Sequence, residues 1–92
     1  SGEARWDGGW RMIFFDIPET KRKHRDYLRK VIKLVGFHEF QKSIWVYPYP
    51  VPEFLKDLLF EENIRPHVSF VTTNLLDDDT NLRKVFELPS KS

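Results

Sequence analysis

Trp10-Arg11-Met12-Ile13-Phe14-Phe15-Asp16-Ile17-Pro18 is the stretch that decides the fold. Apolar side chains fill it apart from Arg11 and Asp16, and Pro18 closes it. The run is too short for a lone helix and lacks a clean polar alternation. It therefore reads as a strand covered on both faces, which makes it a central strand. Asp16 falls at its carboxyl end. Pro18-Glu19-Thr20 then opens a helix. From Thr20 to Val35 the apolar positions Leu28, Val31, Ile32 and Val35 recur at helical spacing, and Gly36 stops the helix. At about 100° per residue, Arg25, Arg29 and Lys33 fall within about 60° of Arg22, opposite Leu28, Val31 and Val35. The helix has one apolar face and one basic stripe.

Downstream, Phe37 to Gln41 and Ser43 to Tyr47 are short aromatic and β-branched runs that favour strands, with Gln41-Lys42-Ser43 as the bend. Pro48, Pro50 and Pro52 force a loop, and Pro52 suits a first helical turn. Phe54, Leu55, Leu58 and Leu59 have helical spacing, ending near Asn63. After the Arg65-Pro66 break, His67 to Thr73 alternates as a strand, with Val68, Phe70 and Thr72 on one side. Asp77-Asp78-Asp79-Thr80 is rich in capping residues, and Leu82, Val85 and Phe86 predict a short last helix. The order is βαββαβ with a C-terminal helix or tail. This α+β, ferredoxin-like arrangement places two helices on one face of a four-stranded antiparallel sheet. The other face needs a cover, for which a second copy or a neighbouring domain is expected. The segments expected are a lead-in at 1–9, the domain at 10–88 and a disordered tail at 89–92. Ser1-Gly2 reads as a cloning remnant, and the lack of an initiator Met points to a piece of a longer protein.

With 92 residues the chain makes a single small domain. A mean hydropathy of −0.52 leaves no candidate membrane span and no partner in the bilayer. The absence of Cys removes disulfides, thiolate zinc sites and a Cys nucleophile, and fits a cytoplasmic location. Net charge is +1, but residues 1–46 hold 10 Lys/Arg against 6 Asp/Glu, and residues 47–92 hold 5 against 8. The basic excess peaks at Lys21-Arg22-Lys23-His24-Arg25 and the acidic one at Asp77-Asp78-Asp79. Such polarity suits an anionic partner or contact between opposite faces of two copies.

Two features carry candidate chemistry. Asp16, a carboxylate at a strand end, suits a hard cation such as Mg²⁺, and two copies meeting along this strand would pair two Asp16 carboxylates for phosphodiester cleavage. The alternative role is to accept backbone N–H bonds from the Glu19–Lys21 turn. The basic stripe, Arg22, Arg25, Arg29 and Lys33 with Lys21 and Lys23 near its start, suits phosphate contacts, DNA first and RNA second. The alternative is a solvated helix face. His24, His38 and His67 lie on different elements without a zinc-binding spacing. Ser43 and Ser69 have no evident base partner. Trp6, Trp10, Trp45, Tyr47 and Tyr49 read as core or dimer contacts more readily than as base-stacking platforms.

Several runs occur in order: Trp6-Asp7-Gly8-Gly9-Trp10-Arg11, Ile13-Phe14-Phe15-Asp16-Ile17-Pro18-Glu19, Lys21 to Arg29, Leu34-Val35-Gly36-Phe37, and Gln41-Lys42-Ser43-Ile44-Trp45-Val46-Tyr47-Pro48. Together they resemble the CRISPR-associated Cas2-like family. More closely, they are similar to the Cas2-like domain of PaaX-type transcriptional repressors, in which a Trp6–Arg11-like segment before the first strand is more typical. The resemblance implies a homodimer packed through its sheets. It also implies a metal-binding role for Asp16 in a nuclease, with Mg²⁺ as cofactor, or a scaffolding role on DNA. For the repressor type it implies a preceding winged-helix domain. Three functions follow as expectations. The first is a nucleic-acid-associated homodimerisation scaffold within a PaaX-type regulator. The second is an Mg²⁺-dependent CRISPR-associated endonuclease or spacer-integration subunit that uses paired Asp16. The third is a protein–protein dimerisation module that does not bind nucleic acid.

Overall fold

A computed structural model describes residues 5–74 and 76–89. The expected Ser1-Gly2 remnant and residues 90–92 of the expected tail lie outside the described residues. The apolar run at Trp10 forms β1 (Trp10–Phe15), followed by α1 (Arg22–Val35), β2 (His38–Gln41), β3 (Ile44–Tyr47), α2 (Glu53–Leu59), β4 (Val68–Thr73) and α3 (Thr80–Val85). The sheet is antiparallel in the order β2-β3-β1-β4, so β1 is central, and the fold is ferredoxin-like. No helix among the described residues is long and apolar enough to cross a membrane.

Because strand side chains alternate, β1 feeds two cores. Ile13 lies opposite Trp45 on β3 and Phe70 on β4, and its side chain joins Phe15 and Trp45 beneath the helices. There they meet Leu28, Val31 and Ile32 of α1 and Leu55 and Leu59 of α2. Met12 lies opposite Val46 and Val71 and faces the other way.

That second face corrects the expected cover. Its centre is closed by the chain itself: Trp10, Met12 and Val46 are buried with Leu82 of α3, and Trp6, Phe86 and Leu88 pack against them. A fully buried Leu contributes about 1.5–3 kcal/mol, so Leu82 alone gives α3 a reason to dock. The edges stay open. On β4, Val71 on this face and Phe70 on the helix side are each 41% exposed.

Several boundaries differ from the expectation: α1 begins at Arg22 after a 3-10 turn, β2 and β3 begin at His38 and Ile44, and α2 ends at Leu59 instead of near Asn63. The central strand stops at Phe15, and Asp16 is exposed while Ile17 turns back into the core. The last strand starts at Val68, after a 3-10 turn at Arg65–His67. Gly36 ends α1 as expected. Its φ is 118°, its N–H donates to Lys33 O at 3.1 Å, and the Phe37 N–H donates to Ile32 O at 3.0 Å. This is the crossed bonding of a glycine-terminated helix.

Candidate functional site

The basic stripe survives folding as one flank of α1. A 3-10 turn at Glu19–Lys21 leads into the helix, closed by the Lys21 N–H on Pro18 O at 2.8 Å. Glu19 accepts from Arg22 Nη1 at 3.3 Å and from Arg25 Nη1 at 3.1 Å. The Asp26 carboxylate lies 3.7 Å from both Arg25 Nε and Arg29 Nη1. Further along, the Arg29 guanidinium sits 5.9 Å from the Phe15 ring, and Lys33 Nζ sits 5.9 Å from the Trp45 ring. These ring contacts hold the stripe against the sheet, each contributing about 0.5–1 kcal/mol at an exposed site.

The two carboxylates reduce the charge of the stripe without cancelling it. Five cations, Lys21, Arg22, Arg25, Arg29 and Lys33, stand against Glu19 and Asp26. The Arg22–Glu19 pair is exposed, with side chains 65% and 70% accessible, whereas Arg25 is only 23% accessible. An exposed pair is worth about 0.2–1 kcal/mol, so a phosphate competes with it readily. From Arg22 to Lys33 the stripe runs about 16 Å, at 1.5 Å per residue. That length matches about five base steps of duplex at 3.4 Å each.

Asp16 stands elsewhere. It lines a shallow depression of about 280 Å³ with Phe14, Ser43, Ile44, His67 and Ser69. Its backbone N–H donates to His67 O at 2.9 Å. Among the described residues nothing hydrogen-bonds to its carboxylate, and the Glu19–Lys21 turn has no side-chain cap. The expected alternative role as a turn acceptor is therefore not what the side chain does. Folding brings together residues that the sequence left apart, Ser43 and Ser69 with Asp16 and His67, yet no hydrogen bond joins these side chains.

Magnesium requires near-octahedral oxygen coordination and is usually held by one or two carboxylates. Among the described residues no group of three or more His, Asp or Glu is placed to hold a metal. One exposed carboxylate beside two hydroxyls does not complete such a site within a single chain. The remaining histidines are dispersed. His24 Nδ1 is 3.9 Å from Glu61, and His38 stands edge-on to Phe86 with ring centroids 6.3 Å apart.

The aromatic residues serve packing. Trp10 and Trp45 are buried, Trp6 lies 4.9 Å from Trp10 between ring centroids, and Tyr47 stacks on Phe37 at 4.9 Å. Sequence reasoning missed two polar groups that organise this side of the molecule. Asp79 is 4% exposed and accepts from Trp10 Nε1 and Arg83 Nε, both at 3.0 Å. Arg11 is buried against Asp7, Gly9 O and Pro48 O. A charged residue inside an apolar run was the available signal for Arg11. Asp79 gave no signal, because a run of three acidic residues reads as a solvated cap.

A split βαβ sheet with a cationic first helix and a self-docked C-terminal helix defines a ferredoxin-like α+β domain. The family model for the PaaX protein central Cas2-like domain matches residues 3–85. The chain belongs to that family. No curated protein and no solved structure gives a match.

Proposed function

We propose that this domain is a nucleic-acid-associated homodimerisation scaffold within a PaaX-type transcriptional regulator. It would act in the cytoplasm beside an N-terminal winged-helix domain. The observation that carries the nucleic-acid part is the flank of α1, where Lys21, Arg22, Arg25, Arg29 and Lys33 outnumber Glu19 and Asp26. Contacts of this kind take hold of phosphates and leave base sequence unread. Sequence specificity then belongs to the neighbouring domain, and this one adds affinity and geometry.

The test is one set of binding and cleavage assays on duplex DNA and on single-stranded RNA, with Mg²⁺, Mn²⁺ or EDTA. The scaffold reading expects metal-independent duplex binding that weakens with salt and is lost in an Arg25→Glu/Arg29→Glu double variant. A preference for RNA would change the partner and keep the stripe. Metal-dependent cleavage abolished by Asp16→Asn would replace this reading with that of an Mg²⁺-dependent endonuclease. Failure to bind either nucleic acid would leave the protein–protein dimerisation module.

A further inference from the structure

The sheet has two outer edges, and they are guarded differently. β2 is four residues long, carries Glu39, and shifts register between Glu39 and Gln41. A short, charged, irregular strand is one way proteins keep an edge from pairing. β4 is six residues long, Val68-Ser69-Phe70-Val71-Thr72-Thr73, with no charge and no Pro. It follows β1 in unbroken register from Phe15↔Val68 to Trp10↔Thr73, and among the described residues no other strand lies beside it.

The backbone of this edge is set as well. In an antiparallel pair, opposed residues alternate between hydrogen-bonded and non-bonded pairs. The Asp16 N–H donates to His67 O at 2.9 Å, which makes these two a bonded pair one step beyond the ladder. Counting from there, Ser69, Val71 and Thr73 bond to β1, while Val68, Phe70 and Thr72 turn their N–H and C=O groups outward. The Val68 N–H is taken by Arg65 O. Phe70 and Thr72 are exposed, and among the described residues no backbone group outside the strand bonds to them.

Beside this edge, on the helix side, lies a depression of about 320 Å³ lined by Leu59, Phe60, Val68 and Phe70 together with Lys56 and Arg65. Phe60 is 63% exposed. The Arg65 guanidinium lies 4.5 Å from the Phe60 ring centroid and makes no ion pair among the described residues. Lys56 meets Glu53 at 3.5 Å in an exposed pair that a second carboxylate can displace. No acid lines the depression itself.

We propose that the β4 edge takes an added strand from another protein, an extended segment with apolar side chains at alternate positions and an acidic residue beside them. Its main chain pairs with Phe70 and Thr72 and supplies affinity. Its apolar row falls on Phe60 and Phe70 and its acid meets Arg65 or Lys56, which supplies selectivity. A second copy pairing β4 with β4 satisfies the backbone but brings no acid, because Val68 to Thr73 holds none. The added strand uses neither sheet face nor the basic flank of α1, so the inference is independent of both the homodimer and the nucleic-acid parts of the reading above.

The experiment is an NMR titration of the isotope-labelled 92-residue chain with a short acetylated peptide of alternating Val and Thr, with Asp at both ends. The amide signals of Phe70 and Thr72 should shift, and their hydrogen exchange should slow at saturation. Thr72→Pro removes an outward N–H, which an edge strand tolerates, and should abolish binding with circular dichroism unchanged. Methylating alternate backbone nitrogens of the peptide should abolish binding to the native chain, which serves as the block if the Pro variant misfolds. Arg65→Gln should weaken binding about twofold to fivefold, the share of one exposed ion pair. No shift at Phe70 and Thr72, or binding that survives the backbone blocks, would overturn the inference. Self-association lost in Thr72→Pro would give the edge to a second copy and overturn the foreign strand. Equal shifts with single-stranded DNA would overturn the peptide as occupant. Duplex-DNA binding should be unchanged in Thr72→Pro, so failure here and failure of the scaffold reading are told apart.

Discussion

Trp10 Nε1 donates to Asp79 Oδ2 at 3.0 Å, joining the first residue of β1 to the residue before α3 across 69 positions of sequence. The same carboxylate accepts from Arg83 Nε at 3.0 Å, and the Arg83 guanidinium lies 4.6 Å from the Trp6 ring centroid. One buried acid thus ties the lead-in, the central strand and the last helix together. This is what lets the chain close its own second sheet face.

Asp79→Ala would leave the buried Trp10 N–H unpaired and Arg83 Nε without its carboxylate, while Arg83 Nη1 keeps Pro89 O. A loss of about 2–3 kcal/mol is expected, because an orphaned buried donor costs more than the net value of its bond. Urea denaturation measures it. Asp79→Asn, whose amide oxygen still accepts, should cost clearly less. Equal losses in the two variants would assign the effect to charge and not to the hydrogen bond.

Gly36→Ala should destabilise the fold by about 1–2 kcal/mol, since a side chain at positive φ is strained. The backbone φ is 118°, and a Cβ there would stand 3.2 Å from Tyr47 Cε1. Thermal denaturation checks this. A neutral result would show that α1 can end without the left-handed residue.

Asp7 should give the lead-in its own acid transition. The Arg11 guanidinium, with the Gly9 N–H, lowers its pKa from 3.8 to about 2. A carboxylate depressed on folding contributes stability that is fully present above its unfolded value and is lost as pH falls through its folded value. The contribution is therefore expected to fade between about pH 4 and pH 2. Trp6 reports on this segment, because its Nε1 donates to Gly9 O at 2.8 Å. Following the Asp7 carboxyl by NMR should give a midpoint near 2, and a midpoint at the ordinary carboxylate value would refute the coupling.

Glu19→Gln should strengthen binding to duplex DNA. Glu19 holds both Arg22 and Arg25. Removing its charge frees two cations for phosphates, so the salt dependence should steepen by up to about one to two phosphate contacts. Fluorescence anisotropy across a salt series measures the slope. An unchanged slope would place the nucleic-acid contact away from this flank.

The sequence by itself determined most of the helical side of this domain. The apolar run at Trp10–Phe15, the helical spacing of Leu28, Val31 and Ile32, the stop at Gly36 and the alternation from Val68 to Thr73 are local patterns. Each has a period or a backbone requirement that is written in adjacent residues. The basic stripe was legible for the same reason, because helical angles follow from numbering alone. Other features depend on residues far apart in the chain, and only the tertiary structure decided them. Asp79 is buried because Trp10 offers an indole N–H there, and α3 folds back because Leu82 finds Met12 and Val46 uncovered. The depression between Phe60 and Phe70, and the gathering of Asp16 with Ser43, His67 and Ser69, likewise arise only when separate elements pack. A local pattern fixes which way a side chain points, and packing fixes what it meets.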